Sequence, residues 1–164
     1  MIKGKAILIG SEDEENLAIR YLGANLTKNK HAVRIVACSR EDDFPTVSDG
    51  VISFRPDMVA VSMAFQSLAP MFLELMEKIN QIRPEVHVTV GGHFPTFEYL
   101  RLLEYPTIDS VIRFEGEEPI TLLLEAIINN SDFDNIPNLV YKENSAIKEN
   151  SCQVRFPNLD LLPF

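Results

Sequence analysis

The feature that most constrains the fold of this chain is a regular alternation of short apolar segments with longer segments of helical periodicity. Five short segments are apolar and end near glycine or polar residues, which is typical of buried parallel strands. Between them, apolar residues recur at helical spacing, which predicts amphipathic helices. The predicted strands cover residues 5–10, 32–37, 57–62, 86–90 and 110–113. The predicted helices cover residues 14–28, 68–82, 97–103 and 117–129, with a poorly patterned segment of one or two helical turns at 47–54.

The order of these elements predicts an α/β fold. Five strand–helix units in sequence imply a parallel sheet with helices on both faces. A chain of 164 residues is better suited to a flavodoxin-like doubly wound order than to a longer dinucleotide-binding fold. The sequence therefore predicts a flavodoxin-like, doubly wound, parallel five-stranded sheet within residues 1–130.

The pattern changes in the remaining segment, residues 131–164. Residues 138–142 and 146–148 are short strand-like runs separated by a polar turn, which predicts a β-hairpin. Residues 155–164 contain two prolines and no helical pattern, so we expect a linker there. The second region is thus predicted to be a C-terminal β-hairpin and linker.

Composition and charge exclude several classes of protein. Hydrophobic residues make up 46% and charged residues 24% of the chain, which indicates a globular rather than a disordered protein. No apolar run approaches the ~18 residues of a membrane span, and the first apolar segment is too short for a signal peptide. Cys38 and Cys152 form no CxxC pair, so we expect a reducing cytoplasm. The net charge of 15 − 24 = −9 argues against nucleic acid and anionic membranes as partners.

Ligands of open α/β sheets bind at the carboxyl ends of the strands, so the loops that follow the strands are the candidate site. The first loop carries an acidic run, residues 12–15, which a helix dipole stabilises by ~0.3–1 kcal/mol per carboxylate. A phosphate-accepting receiver domain would need an Asp after the third strand and a Lys after the fifth, but the chain has Ser62 and Arg113. There is no GxGxxG after the first strand and no GxxxxGK, so a nucleotide site is not supported.

The other three loops combine small, amide and aromatic residues. Residues 62–67 can hydrogen-bond a ligand while walling an apolar pocket, although a strand end followed by a helix N-cap at Ser67 explains them equally well. Gly91 and Gly92 permit close backbone approach, and a tight turn is the alternative. His93 has no recognisable nucleophile or carboxylate partner, so no catalytic residue and no protein metal ligand is predicted.

Together these loops resemble the N-terminal cobalamin-binding domain of cobalamin-dependent radical S-adenosylmethionine enzymes. The resemblance extends from about Ile7 to Phe164, and its most specific part is the fourth-loop string within residues 108–117. The other strings that carry it are Glu15-Asn16-Leu17 with Tyr21-Leu22, Ser62, and residues 90–96, 136–141 and 159–164.

The resemblance implies cobalamin as the cofactor and a site formed by the strand-end loops. In that family the last string leads into a radical domain with a CxxxCxxC motif, which this chain does not contain. S-adenosylmethionine and an iron–sulfur cluster are therefore expected only in a missing downstream radical domain of the same polypeptide, and this chain alone is not expected to turn over. The implied cofactor-binding residues are Gly10, Ser11, Glu12, Asn16, Ser62, Met63, Phe65, Gln66, Ser67, Gly91, Gly92, His93, Phe94, Thr96, Glu115, Gly116 and Glu117.

The resemblance further implies how the cofactor is held. Other cobalamin domains carry Asp-x-His-x-x-Gly after the first strand, whereas residues 10–16 contain no histidine. We therefore expect cobalamin in the base-off form, with its base in a buried slot and no side chain on cobalt, in a complete enzyme that transfers a methyl group. Phe65, Phe94 and Phe114 should leave aromatic surface exposed around the loops.

Two departures leave an alternative open. The family commonly has glycine at the positions of Phe114 and Asn138, and a bulky Phe114 is expected to reshape the loop over the corrin ring. Together with the absent histidine, this leaves a related domain that has lost cobalamin and serves as a structural or partner-docking module as the second hypothesis.

Overall fold

The structure, a computed structural model, describes residues 3–13, 16–144 and 146–153. Within them, the strands are β1 (Lys5–Gly10), β2 (Ala32–Ala37), β3 (Met58–Ser62), β4 (His87–Gly91), β5 (Ser110–Ile112), β6 (Leu139–Glu143) and β7 (Ala146–Glu149). The helices are α1 (Leu17–Lys28), α2 (Phe44–Phe54), α3 (Ala69–Ile82), α4 (His93–Leu102) and α5 (Glu117–Asn129). None of the helices in these ranges is long and apolar enough to cross a membrane.

The described strands form one sheet in the order β2-β1-β3-β4-β5-β6-β7. The first five are parallel and follow the flavodoxin-like order, so the predicted doubly wound sheet is confirmed. The predicted hairpin is also confirmed, but it does not form a separate layer. Strand β6 pairs antiparallel with β5, and β7 pairs with β6, so the hairpin extends the same sheet. The predicted linker at residues 155–164 lies outside the described residues.

The two faces of the sheet are covered by different helices. Side chains alternate between the faces along each strand, and in β1 Ile7 and Ile9 point to one face while Leu8 points to the other. The first face packs against α2, α3 and α4 through buried residues such as Phe72. The second face packs against α1 and α5, where Leu123 is buried. This second face is the one that contains the candidate site.

Helix α2 is longer than the sequence pattern predicted. It runs through eleven residues from Phe44 to Phe54, with proline in its first turn, where the missing N–H is tolerated. Its buried face consists of Phe44, Val47, Gly50 and Val51. Because glycine occupies a buried position there, close to Val36, the apolar periodicity is weak although the helix packs on the core.

Candidate functional site

A slot with a volume of about 120 Å³ opens at the carboxyl edge of the sheet, between the sheet and helices α1 and α5. Most of its wall is apolar. Ala18 of α1 and Ala60 of β3 both line it, and their short side chains leave room between helix and sheet. The remaining residues of the floor and walls are Leu8, Ile19, Leu22, Val61, Thr89, Val90, Ile112 and Ile120.

The polar groups of the slot are few. Thr89 is buried and its hydroxyl donates to the carbonyl of Ser110 at 3.3 Å, so it is already bonded. Ser62 stands at the end of β3 and also lines the slot. Among the described lining residues, the charged ones are Glu115 and Glu117. Burial, and secondarily the neighbouring carboxylate of Glu117, raises the pKa of Glu115 above its ordinary value. The slot thus suits a flat, largely apolar group whose polar end stays at the mouth.

The glycines around the slot have different structural roles. Gly92 has a φ of +108°, and a Cβ there would lie 2.9 Å from the carbonyl oxygen of Met63. Glycine is therefore required by the turn itself. A Cβ on Gly116 would make ordinary contacts, at 3.4 Å from Leu22 and 3.7 Å from Ile112. Since both of those neighbours line the slot, the absence of a side chain at Gly116 keeps space for a ligand.

The loop after β5 brings Phe114 to the mouth of the slot. Phe114 has a φ of 56° and lines the slot. Its N–H donates to the Thr96 hydroxyl at 3.0 Å, and the Asn138 side-chain amide donates to the Glu115 carbonyl at 3.2 Å. Asn138 itself has a φ of 63°. Both positions are left-handed, which is the backbone conformation that favours glycine and explains why glycine is expected there.

Arg113 holds the same loop from the other side. Its side chain is 9% exposed and forms an ion pair with Glu149 of β7 at 2.7 Å, and its guanidinium lies over the ring of Tyr99 at 4.7 Å. The hydroxyl of Tyr99 donates to the same Glu149 carboxylate at 3.3 Å. The guanidinium thus contacts the hairpin and α4, and Arg113 does not line the slot.

Several of the residues predicted from the sequence come together at the slot. Thr96 is buried and does not line the slot, but its hydroxyl donates to the carbonyl of Gly92, a lining residue, at 2.8 Å. The predicted residues that line the slot itself are Ser62, Gly91, Gly92, Glu115, Gly116 and Glu117.

The predicted residues of the first loop lie outside the lining of the slot. The hydroxyl of Ser11 is 3.0 Å from that of Ser39, and Glu12 forms an ion pair with Arg20 at 2.9 Å. Asn16 caps α1 by accepting from the Ile19 N–H at 3.3 Å. Gly10 ends β1, where a Cβ would lie 2.7 Å from the Asn16 amide nitrogen. These contacts give the first loop a role in beginning α1.

The other predicted residues from the second and third loops also lie away from the slot. Met63 is fully buried in the core of the opposite face, while Phe65 is 63% exposed and Ser67 is exposed as well. Gln66 and Phe94 line a different depression between α3 and α4. Phe94 is partly buried against the core, in contrast to the exposed aromatic surface expected there, because α4 begins at His93 and turns Phe94 inward.

His93 is exposed at the start of α4, with its ring 5.3 Å from that of Phe97. The residues that sequence reasoning missed are those of the apolar floor and walls. Phe114 was expected on the loop over the corrin ring but not among the cofactor-binding residues. The floor residues belong to regular strands and helices, so no local motif distinguishes them. The signal that could have found them is the pair of small residues, Ala18 and Ala60, in otherwise bulky apolar segments.

Comparison with known families agrees with this arrangement. A family model described as the B12 binding domain matches residues 10–124, which extend from the last residue of β1 through β2 to β5 and most of α5. The chain therefore belongs to the B12-binding domain family, and its structural relatives include the cobalamin-binding parts of radical S-adenosylmethionine methyltransferases.

Two curated relatives are methylating enzymes by name. The uncharacterized methyltransferase PH0819 of Pyrococcus horikoshii is 29% identical over 159 residues, which cover 90% of this chain and 34% of that protein. The hopanoid C-3 methylase of Methylococcus capsulatus is 28% identical over 130 residues, which cover 77% of this chain and 25% of that protein. The chain thus spans about a third or less of the length of these relatives.

Solved structures share the fold at lower identity. TsrM, a radical S-adenosylmethionine methyltransferase from Kitasatospora setae solved with cobalamin and a 4Fe-4S cluster, matches with a TM-score of 0.80 and 20% identity, over 95% of this chain and 30% of TsrM. The cobalamin-dependent radical enzyme OxsB, solved with aqua-cobalamin and S-adenosylmethionine, matches with a TM-score of 0.76 and 19% identity, over 93% of this chain and 22% of OxsB.

Proposed function

We propose that this chain is the cobalamin-holding module of a larger radical S-adenosylmethionine methyltransferase, and that it holds cobalamin base-off with no side chain on cobalt. The observation that carries the proposal is the apolar slot between the sheet and helices α1 and α5, with its mouth formed by the loop after β5. A displaced benzimidazole base is flat and mainly apolar, as the slot requires. Burying it stabilises the complex by roughly 25 cal/mol per Å² of apolar surface.

The residues around the slot fit the rest of such a ligand. A corrin ring is much larger than a slot of about 120 Å³, so it would remain outside the slot. The hydroxyl of Ser62 and the carboxylates of Glu115 and Glu117 line the slot, where they can pair with the ligand's hydroxyls and amide N–H groups. No histidine belongs to the described lining, and the ring of His93 contacts that of Phe97 edge to face instead.

The complete protein would perform the methyl transfer. When bound, cobalamin supplies a metal centre that can carry a methyl group, while S-adenosylmethionine and an iron–sulfur cluster would belong to a downstream radical domain. The lengths and names of the relatives support this division, since the chain covers 34% of PH0819 and 30% of TsrM. Residues 131–164 would then lead from the cofactor module, residues 1–130, towards that domain. Phe65 and Phe114, both exposed on strand-end loops, would face it.

We also propose that the protein works in the reducing cytoplasm. Both of its cysteines are free, and Cys38 is buried while Cys152 is exposed. Burial raises the pKa of the Cys38 thiol to about 11, which keeps it protonated and unreactive.

The proposal is tested by incubating the protein with hydroxocobalamin, removing free ligand by desalting, and recording the absorbance spectrum. The unfolding free energy is measured on a second sample in which free cobalamin stays in solution. We expect retained cobalamin with a base-off spectrum. The unfolding free energy should rise by ~2.7 kcal/mol at a hundredfold excess over Kd. A protein that retains no cobalamin and shows an unchanged unfolding free energy would contradict the proposal. That result would favour the second hypothesis, a domain that has lost the cofactor and acts as a docking module.

A further inference from the structure

We propose that Phe114 is a specificity residue that contacts the nucleotide tail of a corrinoid at the mouth of the slot. The inference rests on the proposed function and adds to it a residue that favours tailed corrinoids over tailless ones. Phe114 lines the slot and yet remains 44% exposed. An aromatic ring in that position offers apolar surface that a ligand entering the slot would cover.

The backbone of Phe114 indicates that its side chain has a role. Its φ of 56° is left-handed, a conformation that is unfavourable for residues with a Cβ and is usually occupied by glycine. Asparagine and aspartate tolerate it because a short polar side chain can bond the local backbone, but phenylalanine has no such group. Glycine would therefore suit this position better for folding alone. A bulky residue held in an unfavourable conformation at a ligand site is a reason to infer function.

Neighbouring elements fix this conformation from two sides. The N–H of Phe114 donates to Thr96 Oγ1 at 3.0 Å, which ties it to α4. On the hairpin side, the Arg113 N–H donates to the Asn138 carbonyl at 3.0 Å, and Asn138 Nδ2 donates to the Glu115 carbonyl at 3.2 Å. Asn138 Oδ1 in turn accepts from the Gln153 N–H at 2.8 Å. The residue is thus clamped between α4 and the hairpin.

The hairpin part of this clamp lies outside the region that matches the family model, which ends at residue 124. Asn138 is buried, with 3% of its surface exposed, and both ends of its side-chain amide are bonded. We therefore assign Asn138 as a positioning residue that acts through the fourth loop, while Phe114 is the residue that touches the ligand.

The geometry of the slot determines which part of the ligand Phe114 contacts. The base lies inside, and the corrin ring lies outside because it cannot enter about 120 Å³. The ribose and phosphate that join base and corrin must therefore cross the mouth, where Phe114, Glu115 and Gly116 stand. A corrinoid without the nucleotide tail has no atoms to place there. Removal of the Phe114 ring should consequently weaken the binding of tailed corrinoids and leave the binding of tailless ones nearly unchanged.

The test measures the affinities of cobalamin and of cobinamide, its tailless analogue, for the wild-type protein and for F114A, F114G and F65A. We expect F114A and F114G each to weaken the affinity for cobalamin by about tenfold, equivalent to ~1.4 kcal/mol. The affinity for cobinamide should change by less than about twofold. Phe65 is the matched control, because it is an exposed aromatic on a strand-end loop outside the slot lining. F65A should leave the ratio of the two affinities unchanged, because the corrin that both ligands share is the part that can reach this strand-end loop.

The two Phe114 variants separate the ring from the backbone, since F114A keeps the left-handed strain and F114G relieves it. Equal losses in both variants support the inference, and a loss in only one would overturn it. Equal weakening of both ligands, or of neither, would also overturn it. A wild-type protein that binds neither corrinoid would overturn the proposed function itself, whereas wild-type binding of cobalamin without any Phe114 effect overturns this inference alone.

Asn138→Gly completes the test, because glycine keeps the left-handed backbone of residue 138 and removes only the two side-chain bonds. We expect a smaller loss in the same direction, about threefold for cobalamin and none for cobinamide. An N138G protein that loses stability but keeps the wild-type ratio of the two affinities would limit Asn138 to a structural role and overturn its assignment as a positioning residue.

Discussion

The loops after β4 and β5 both carry glycine at the carboxyl edge of the sheet, but the physical reason for glycine differs between the two loops. Gly92 has a φ of +108°, and its missing Cβ would collide with the backbone of Met63 at 2.9 Å. Gly116 has an ordinary φ of −108°, and its missing Cβ would point between two residues that line the slot. The first glycine is required by the backbone of the turn, and the second borders the slot, where a side chain would take up space.

A glycine-rich loop therefore does not by itself indicate a ligand-binding site. Gly91-Gly92 is the more conspicuous pair in the sequence, yet a Cβ on either residue would meet backbone, the Ile112 carbonyl at 3.3 Å in the case of Gly91. Gly116 stands alone between two glutamates, and the nearest neighbours of a Cβ there would be the side chains of Leu22 and Ile112, which both line the slot. What decides the role is the direction in which the missing side chain would point.

The largest effect that we predict is on folding. Gly92→Val should lower the free energy of unfolding of the ligand-free protein by about 3 kcal/mol or more, because a β-branched residue is forced into a left-handed conformation against a carbonyl oxygen. Urea unfolding without cobalamin measures it. A ligand-free variant with wild-type stability would show that Gly92, like Gly116, is free of backbone constraint.

The next effect is on binding. Gly116→Val should weaken the affinity for cobalamin by about a hundredfold or more, since the valine methyl groups would occupy the slot between Leu22 and Ile112. The fold should lose only about 1 kcal/mol, because glycine is replaced at the N-cap of α5 by a poorer capping residue. Spectroscopic titration and urea unfolding of the same preparation measure both quantities. Unweakened binding would place the ligand elsewhere.

A smaller effect concerns the strain in the fourth loop. Phe114→Gly should raise the free energy of unfolding of the ligand-free protein by about 1 kcal/mol, because the left-handed backbone no longer carries a Cβ. Phe65, whose φ is −119°, provides the control, and Phe65→Gly should give no gain. The comparison would fail if both variants changed stability equally, since the gain would then have no connection with the left-handed backbone.

The smallest effect is a pH dependence in the same loop. The pKa of Glu115 is raised by burial and by Glu117, so the folded state keeps this proton to a higher pH than the unfolded state does. The stability that the protonated Glu115 contributes is therefore lost as the pH rises from the ordinary pKa of a glutamate carboxyl group, about 4.3, through the raised pKa. Glu115→Gln should flatten the stability profile across that window, as urea unfolding at several pH values would show. A steeper profile in the variant would contradict the assignment.

Most of the fold could be predicted because its signals are local. Helix α5 covers the predicted residues 117–129, and the flavodoxin-like strand order is the one that the chain length favoured. Helix α2 was underestimated because Gly50 occupies its buried face and interrupts the apolar stripe. The joining of the hairpin to β5 could not be predicted either, since antiparallel pairing of Ile112 with Leu139 depends on tertiary contact rather than on local pattern.

The candidate site was predictable at its rim and not at its floor. Ser62 and Gly116 follow strands, and loops after parallel strands are where ligands are expected. The floor is made by residues such as Leu8 and Ala60, which look like ordinary core until helix packing shows the space between them. The first loop was predicted to bind because of its position after β1 and the family resemblance. Its side chains lie outside the lining of the slot and begin α1, as the Asn16 cap shows, so its binding role stays a prediction.

The measurement that tests the account most directly is the electron paramagnetic resonance spectrum of cob(II)alamin bound to this chain. A nitrogen ligand splits the cobalt lines into triplets, whereas a base held in the slot between α1 and α5, with no histidine in its place, leaves them unsplit. We predict bound cobalamin with unsplit lines. Triplet splitting in the bound cofactor would show that its own base or a histidine still coordinates cobalt, and would contradict the central claim.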